Sequence, residues 1–151
     1  MDVILIAAIT ADGYIAKHSN ETVEWTQDLH LFKEQTMGYP VIMGSKTKKT
    51  INIDLAGRKE IVVHRNDDPK KILSKIKTKK CFVIGGGMTN TMFSPYLTHL
   101  NLTFHPLVFA KGVKLFSSLK DEMKLTLVNV VPVINRKKLY QFQYKINKKL
   151  I

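Results

Sequence analysis

Short apolar runs recur along the first two-thirds of the chain, and each is followed by a turn or by a segment with helical spacing. Continuous apolar runs of this length are typical of strands that are covered on both faces. They predict strands at 2–9, 40–43, 60–63, 80–84 and 100–104. Helical spacing and start signals predict helices at 26–36 with Thr26 as its cap, from 45 to about 52, from Pro69 onwards, and after the glycines at 85–87.

The last third of the chain contains strand patterns only. Residues 125–133 and 139–146 carry β-branched and aromatic side chains, and Asn135-Arg136 lies where a hairpin would turn. Strands and helices that alternate and then give way to strands predict an α/β fold. We expect one domain over residues 1–151, with a mixed, mostly parallel central sheet, helices on both faces and an antiparallel C-terminal hairpin. The polar stretch from Thr10 to Asn20 is expected to be a long loop.

Composition narrows the classes of function. A single cysteine, Cys81, excludes an internal disulfide framework and a multi-cysteine metal site, so we expect no metal. The apolar start is too short to span a membrane and has no basic leader, so we expect a cytoplasmic protein without a membrane partner. The net charge of +12 comes from lysines that are scattered without interleaved aromatic residues. We therefore expect anionic small molecules and not nucleic acid as partners.

Candidate ligand-binding turns follow the predicted strands. Gly44-Ser45-Lys46-Thr47 and Gly85-Gly86-Gly87 each place free backbone amides at a helix start, and His64-Arg65 adds positive charge after a third strand. In open α/β sheets, ligands bind beyond the carboxyl ends of the strands, so these turns predict a dinucleotide site. Neither turn matches the Rossmann or the Walker pattern. The structural alternative is that the glycines only let strand and helix pack, and that His64-Arg65 is a solvated strand end.

The order and spacing of these turns resemble the dihydrofolate reductase family along most of the chain. The matching segments are LIAAITADGYIA, EWTQDLHLFKEQT, PVIMGSKTKKTI, LAGRKEIVV, CFVIGGG and LNLTFHP. The resemblance implies a monomeric oxidoreductase that uses NADPH to reduce 7,8-dihydrofolate to 5,6,7,8-tetrahydrofolate by hydride transfer. No nucleophile or metal takes part in such a reaction.

On the substrate side, the resemblance implies that Asp28 orients the pterin and promotes its protonation. Thr103 would hydrogen-bond to Asp28, and Trp25 would order a water beside it or anchor the loop. Arg58 corresponds to the arginine that pairs with the α-carboxylate of the folate glutamate. The apolar walls of the substrate site would come from Ala8, Leu29, Phe32, Ile51 and Leu55.

On the cofactor side, the resemblance places Lys46 and Thr47 at the pyrophosphate and Arg65 near the adenosine 2′-phosphate, which favours NADPH over NADH. It also implies a cis peptide bond between Gly85 and Gly86. The further implied cofactor contacts are Ala8, Ile15, Gly44, Ser45, His64, Ile84, Gly85, Gly86, Gly87, Met88 and Thr89. Ser45 and Asn90 stand where many members have an arginine and a tyrosine.

Three alternatives remain open from the sequence. Residues 105–116 look more like the riboflavin-pathway reductases, which share the fold and reduce a ribosylaminopyrimidine with NADPH. A second alternative is a binding protein that keeps the NADPH site without turnover. A third is a nucleic-acid module, whose affinity would fall steeply with salt. Arg58 discriminates best among the substrates, because a small pterin or a ribosylated pyrimidine has no glutamate for it to bind.

Overall fold

The computed structural model describes residues 1–148. Its strands are β1 (Asp2–Thr10), β2 (Tyr14–Ala16), β3 (Val41–Gly44), β4 (Glu60–Val63), β5 (Lys80–Val83), β6 (His99–His105), β7 (Val113–Lys114), β8 (Leu125–Ile134) and β9 (Leu139–Ile146). Its helices are α1 (Leu29–Thr36), α2 (Ser45–Thr50), α3 (Pro69–Ser74) and α4 (Gly87–Phe93), with 3₁₀ turns at Ser94–Tyr96 and Asn135–Lys137.

Seven strands form the central sheet in the order β4-β3-β5-β1-β6-β9-β8. The five strands from β4 to β6 are parallel, whereas β9 runs antiparallel to β6 and β8 antiparallel to β9. The Asn135–Lys137 turn closes the hairpin between β8 and β9, with Lys138 in the left-handed region at φ 55°. The predicted mixed, mostly parallel sheet with an antiparallel C-terminal hairpin is confirmed.

The two faces of the sheet carry separate hydrophobic clusters because side chains alternate along each strand. On β1, Val3 and Leu5 belong to the cluster that includes α3 and the buried Phe93 of α4. Ile4 and Ile6 point to the other face, where the cluster includes Phe82 and Phe32 of α1. Helices therefore cover both faces, as predicted from the alternating pattern.

Two local expectations are wrong. Helix α1 begins at Leu29 with Asp28 as its N-cap, so Thr26 does not cap it. The chain before Asp28 is not helical, and the backbone N–H of Gln27 donates to Nε2 of His105 on β6. The stretch from Thr10 to Asn20 is not an uninterrupted loop either, since β2 pairs there with β7 in a small antiparallel sheet. By contrast, Asp68 caps α3 as predicted, accepting from Lys70 N at 3.0 Å.

Among residues 1–148, no helix has both the length and the apolar character needed to cross a membrane.

The core around Cys81 gives the first testable prediction. The thiol is fully buried on β5, and burial raises its pKa from the usual 9.0 to about 11. Two pKa units lower the thiolate fraction about 100-fold, and the thiolate is the reactive form. We expect iodoacetamide to alkylate native protein at pH 7 at least about 100-fold more slowly than protein unfolded in guanidinium.

Cys81 is the sole cysteine of the chain, so the mass of the intact protein reports this reaction without assignment. Rapid stoichiometric alkylation of a protein that keeps its native circular dichroism would show that Cys81 is not in the core.

Candidate active site

A cleft of about 510 Å³ opens at the carboxyl edge of the parallel strands. Residues 6–8 of β1 form its floor, β2 and the start of α1 form one side, and the turns after β3, β4 and β5 form the other. Of the residues named from the sequence, those lining the cleft are Ala8, Ile15, Thr26, Asp28, Leu29, Phe32, Gly44, Ser45, Lys46, Thr47, Ile51, His64, Arg65, Ile84, Gly85, Gly86, Gly87, Met88, Thr89 and Asn90. Trp25, Leu55, Arg58 and Thr103 do not line it.

The turns after β3 and β5 are in direct contact, because these strands are neighbours in the sheet. Gly44 N donates to Gly85 O at 2.9 Å, and the peptide bond between Gly85 and Gly86 is cis, as the resemblance implied. Gly44 and Gly86 are the N-caps of α2 and α4, and neither helix start receives a side-chain capping bond. A methyl group on Gly86 would meet only Thr47 Oγ1, at 3.6 Å. Backbone amides and the Thr47 hydroxyl thus lie together at one end of the cleft.

This end of the cleft is cationic. Lys46 and Arg65 line it, and neither forms an ion pair within the part of the chain that the structure describes. His64 also lines it, and its Nδ1 lies 3.6 Å from Asp67 Oδ2. Uncapped helix starts beside unpaired cations are chemically suited to bind an anion. The described residues contain no group of three or more potential metal ligands.

At the other end of the cleft, Asp28 is 6% exposed. Its backbone carbonyl accepts from Phe32 N at 3.0 Å, which starts α1. Its carboxylate makes no hydrogen bond and no ion pair with any residue from 1 to 148. A buried carboxylate is stable when a hydrogen-bonding partner satisfies it, so this group is available to a ligand in the cleft.

Thr103 and Trp25 lie near this end without joining the cleft wall. Thr103 is paired with Ala8 across β6 and β1, and its hydroxyl is fully buried. The expected hydrogen bond from Thr103 to Asp28 is absent, since Thr103 Oγ1 has no partner among the described residues. Trp25 Nε1 is likewise buried without a partner there. The indole packs edge-on against His105 and Phe109, with its centroid 5.3 Å and 5.2 Å from theirs. These two contacts anchor the loop that carries Trp25.

Arg58 is 7% exposed and lies behind the cleft wall. Its Nη2 donates to Asp54 O at 2.6 Å, and its Nη1 to Thr36 Oγ1 at 3.3 Å. Its guanidinium carbon lies 6.0 Å from the ring of Phe32, which does line the cleft. Arg58 has no carboxylate partner in the described chain. The structure therefore contains a second buried charge, of opposite sign to Asp28, on the other side of one aromatic ring from the cleft.

Leu55 is buried in the cluster that also contains Ile51 and Phe32. It supports the wall of the cleft from behind and does not form its surface.

Sequence patterns missed two devices that hold the cleft walls. Gln35 and Gln141 exchange amide hydrogen bonds of 2.8 and 2.9 Å, which tie α1 to β9. Asp12 accepts hydrogen bonds from Thr10 Oγ1 at 2.6 Å and from the backbone N–H groups of residues 109 and 110. These hydrogen bonds lower the pKa of Asp12, and the bond from Thr10 has the largest effect. The second device fixes the loop that carries β2. Asp12 followed by Gly13 is a turn signal in the sequence. The contact of Asp12 with residues 109 and 110, and that of Gln35 with Gln141, join distant segments and could not be predicted from spacing.

Comparison with known proteins agrees with this geometry. A family model described as dihydrofolate reductase matches residues 2–149. The dihydrofolate reductase of Bacillus subtilis (strain 168) is 34% identical over 110 residues, which cover 65% of this chain and 66% of that protein, slightly under two-thirds of its length. The chain belongs to the dihydrofolate reductase family and is an oxidoreductase of that type.

Solved structures show the same fold. A dihydrofolate reductase from Enterococcus faecalis, complexed with NADP(H) and RAB-propyl, has a TM-score of 0.77 at 22% identity, covering 97% of both chains. A putative riboflavin biosynthesis protein from Shewanella sp. PV-4 has a TM-score of 0.65 at 18% identity, covering 98% of this chain and all of the other. Both likenesses concern the fold.

The contact between the two glycine turns gives the second prediction. A Cβ on Gly44 would lie 2.6 Å from Thr89 Oγ1, although the backbone at Gly44 (φ −75°, ψ 163°) suits any residue. Gly44→Ala should therefore cost about 1–3 kcal/mol of unfolding free energy through overpacking. The measurement is denaturant unfolding followed by circular dichroism.

The matched control is Gly44→Ala combined with Thr89→Ala, which removes the clashing hydroxyl. We expect the two changes to be non-additive, with the pair less destabilised than the sum of the single variants. Strict additivity, or a Gly44→Ala protein as stable as the wild type, would contradict this packing.

Proposed function

We propose that this protein reduces 7,8-dihydrofolate to 5,6,7,8-tetrahydrofolate with NADPH as the hydride donor. The observation that carries the proposal is the pair of buried opposite charges, Asp28 and Arg58, with no countercharge in the described chain. An elongated molecule that has a protonatable ring at one end and a carboxylate at the other supplies a partner to both. Dihydrofolate is such a molecule.

Asp28 would accept hydrogen bonds from the pterin ring and its amino group. A carboxylate in this position orients the ring and favours its protonated form, which promotes the transfer of a hydride to the adjacent carbon. Leu29 and Phe32 of α1 and Ala8 of β1 line the same part of the cleft. They provide apolar walls that would exclude water from the ring and strengthen its interaction with the carboxylate. Trp25 and Thr103 would act from behind this wall, by placing the loop and the strand.

The residues of the cationic end fit NADPH. Lys46, Thr47 and the turn at Gly86 would hold the pyrophosphate, and Arg65 the 2′-phosphate, whose geometry suits a guanidinium. Because Gly86 has no side chain, a phosphate could approach the backbone there beside the Thr47 hydroxyl. When bound, the nicotinamide supplies the hydride, and the protein supplies orientation and charge. The turn at Gly86 follows β5, the neighbour of β1, and all these turns line the cleft that Asp28 lines, so one cleft would hold both molecules side by side.

A riboflavin-type reductase is the second candidate, favoured by the sequence of residues 105–116. It would use the same cofactor and a ribosylaminopyrimidine. The buried guanidinium of Arg58 favours folate, because this second substrate has no glutamate. A monomeric state and a cytoplasmic location stay predictions.

The third prediction concerns Asp28→Asn. The amide keeps the shape of the side chain but cannot carry the negative charge that stabilises a protonated pterin. We expect kcat/KM for dihydrofolate at neutral pH to fall about 10²–10⁴-fold, the range for loss of acid–base assistance. The measurement is the rate of NADPH oxidation with dihydrofolate. As a control, the affinity of the variant for NADPH should equal that of the wild type.

A wild-type protein that is active while Asp28→Asn keeps comparable activity would refute the role of Asp28. A wild-type protein that oxidises NADPH only with a ribosylaminopyrimidine would establish the second candidate.

The fourth prediction tests Arg58 with two substrates. Arg58→Gln should lower kcat/KM for dihydrofolate about 10-fold or more relative to dihydropteroate, which lacks the glutamate. A purely structural role of Arg58, through its bonds to Asp54 O and Thr36, would lower both values equally. Lys59→Gln is the matched control, because it removes a neighbouring exposed charge. Equal losses with both substrates would contradict recognition of the glutamate by Arg58.

A further inference from the structure

His105 is a buried histidine that the reaction described above does not use. It ends β6 and is 1% exposed. Its Nδ1 lies 2.9 Å from Thr103 O, and its Nε2 lies 3.0 Å from Gln27 N. One ring therefore connects the strand that carries Thr103 to the residue that precedes Asp28.

The two backbone partners fix the proton on this ring. Gln27 N–H can only donate, so Nε2 must be the acceptor and carries no proton. Thr103 O can only accept, so Nδ1 must carry the proton. His105 is thus a neutral imidazole in a single tautomer, and its two ring nitrogens are not interchangeable.

The segment held by this ring has few other attachments. The carboxylate of Asp28 makes no capping bond to α1, although a residue in that position commonly does. Gln27 receives one more bond, from Lys137 Nζ to its side-chain oxygen at 3.1 Å. Trp25 packs on the edge of the His105 ring at 5.3 Å between centroids. His105 therefore contacts the segment at both Trp25 and Gln27.

We propose that His105 is a positioning residue that holds residues 25–28 against β6 and so presents the Asp28 carboxylate to the cleft. Because the ring bonds to the main chain of Gln27, the carboxylate of Asp28 is not needed to fix the helix start and stays free for substrate. This inference rests on the proposed function for its kinetic consequence, but its structural content is independent of the substrate.

Two variants separate the hydrogen bonds of His105 from its shape. His105→Phe keeps an aromatic ring beside Trp25 but removes the acceptor for Gln27 N–H and the donor to Thr103 O. His105→Gln places an amide oxygen near the position of Nε2, so it can still accept from Gln27 N–H. His99→Phe is the matched control, because His99 begins the same strand and lies outside the cleft.

Trp25 is the sole tryptophan, so its fluorescence reports this segment directly. We expect His105→Phe to raise acrylamide quenching of Trp25 and to lower kcat/KM for dihydrofolate about 10-fold, or about 1.4 kcal/mol. NADPH affinity should be unchanged, because the cationic end lies across the cleft. His105→Gln should reverse most of the increase in quenching and most of the decrease in kcat/KM, and His99→Phe should resemble the wild type.

Nitrogen-15 NMR of the wild-type protein provides a readout without any variant, and it remains available if His105→Phe does not fold. The expected result is a proton on Nδ1 and none on Nε2. A proton on Nε2, or unchanged Trp25 quenching in folded His105→Phe, would overturn the proposal. If no variant and no wild-type protein reduces dihydrofolate, the proposed function fails, while quenching and tautomer still decide the role of His105.

Discussion

Two buried charges of opposite sign constrain the whole candidate site. Asp28 and Arg58 are 6% and 7% exposed, and within residues 1–148 neither has a countercharge. Burying an unpaired charge is costly, so such groups persist where a ligand or a dense set of hydrogen bonds compensates. Arg58 has backbone carbonyls around it, whereas the Asp28 carboxylate has nothing comparable. The difference leaves Asp28 as the buried charge with the fewest compensating contacts in the described chain.

The sheet topology explains why Asp28 and the glycine turns after β3 and β5 line one cleft. Five parallel strands place their carboxyl ends along one edge, so turns that are far apart in sequence become neighbours. The contact between Gly44 and Gly85 shows this most directly, since the residues are joined through adjacent strands. Helix α1 then brings Asp28 from the opposite side. The hydrogen bonds between Gln35 of α1 and Gln141 of β9 fix the position of this wall of the cleft relative to the sheet.

Much of this architecture could be predicted because it depends on local patterns. The apolar run at 60–63 predicted β4 to the residue, and the β-branched and aromatic pattern at 139–146 predicted β9 to the residue. The Asp68-Pro69 signal predicted the start of α3. What could not be predicted depends on contacts between distant segments. The start of α1 moved from Thr26 to Leu29 because Gln27 bonds to His105, which lies far along the chain. Sequence spacing also could not predict that Thr103 makes no hydrogen bond to Asp28, or that Arg58 packs against Phe32, because both depend on distances in the folded protein.

The most direct test of the central claim is a crystal structure with NADPH and folate bound together. The account predicts the pterin within hydrogen-bond distance of the Asp28 carboxylate, about 2.6–3.2 Å, with the nicotinamide beside it near Ala8 and Ile15. The glutamate α-carboxylate should lie against Arg58. A pterin bound elsewhere, with no ligand atom in contact with the Asp28 carboxylate, would contradict the account.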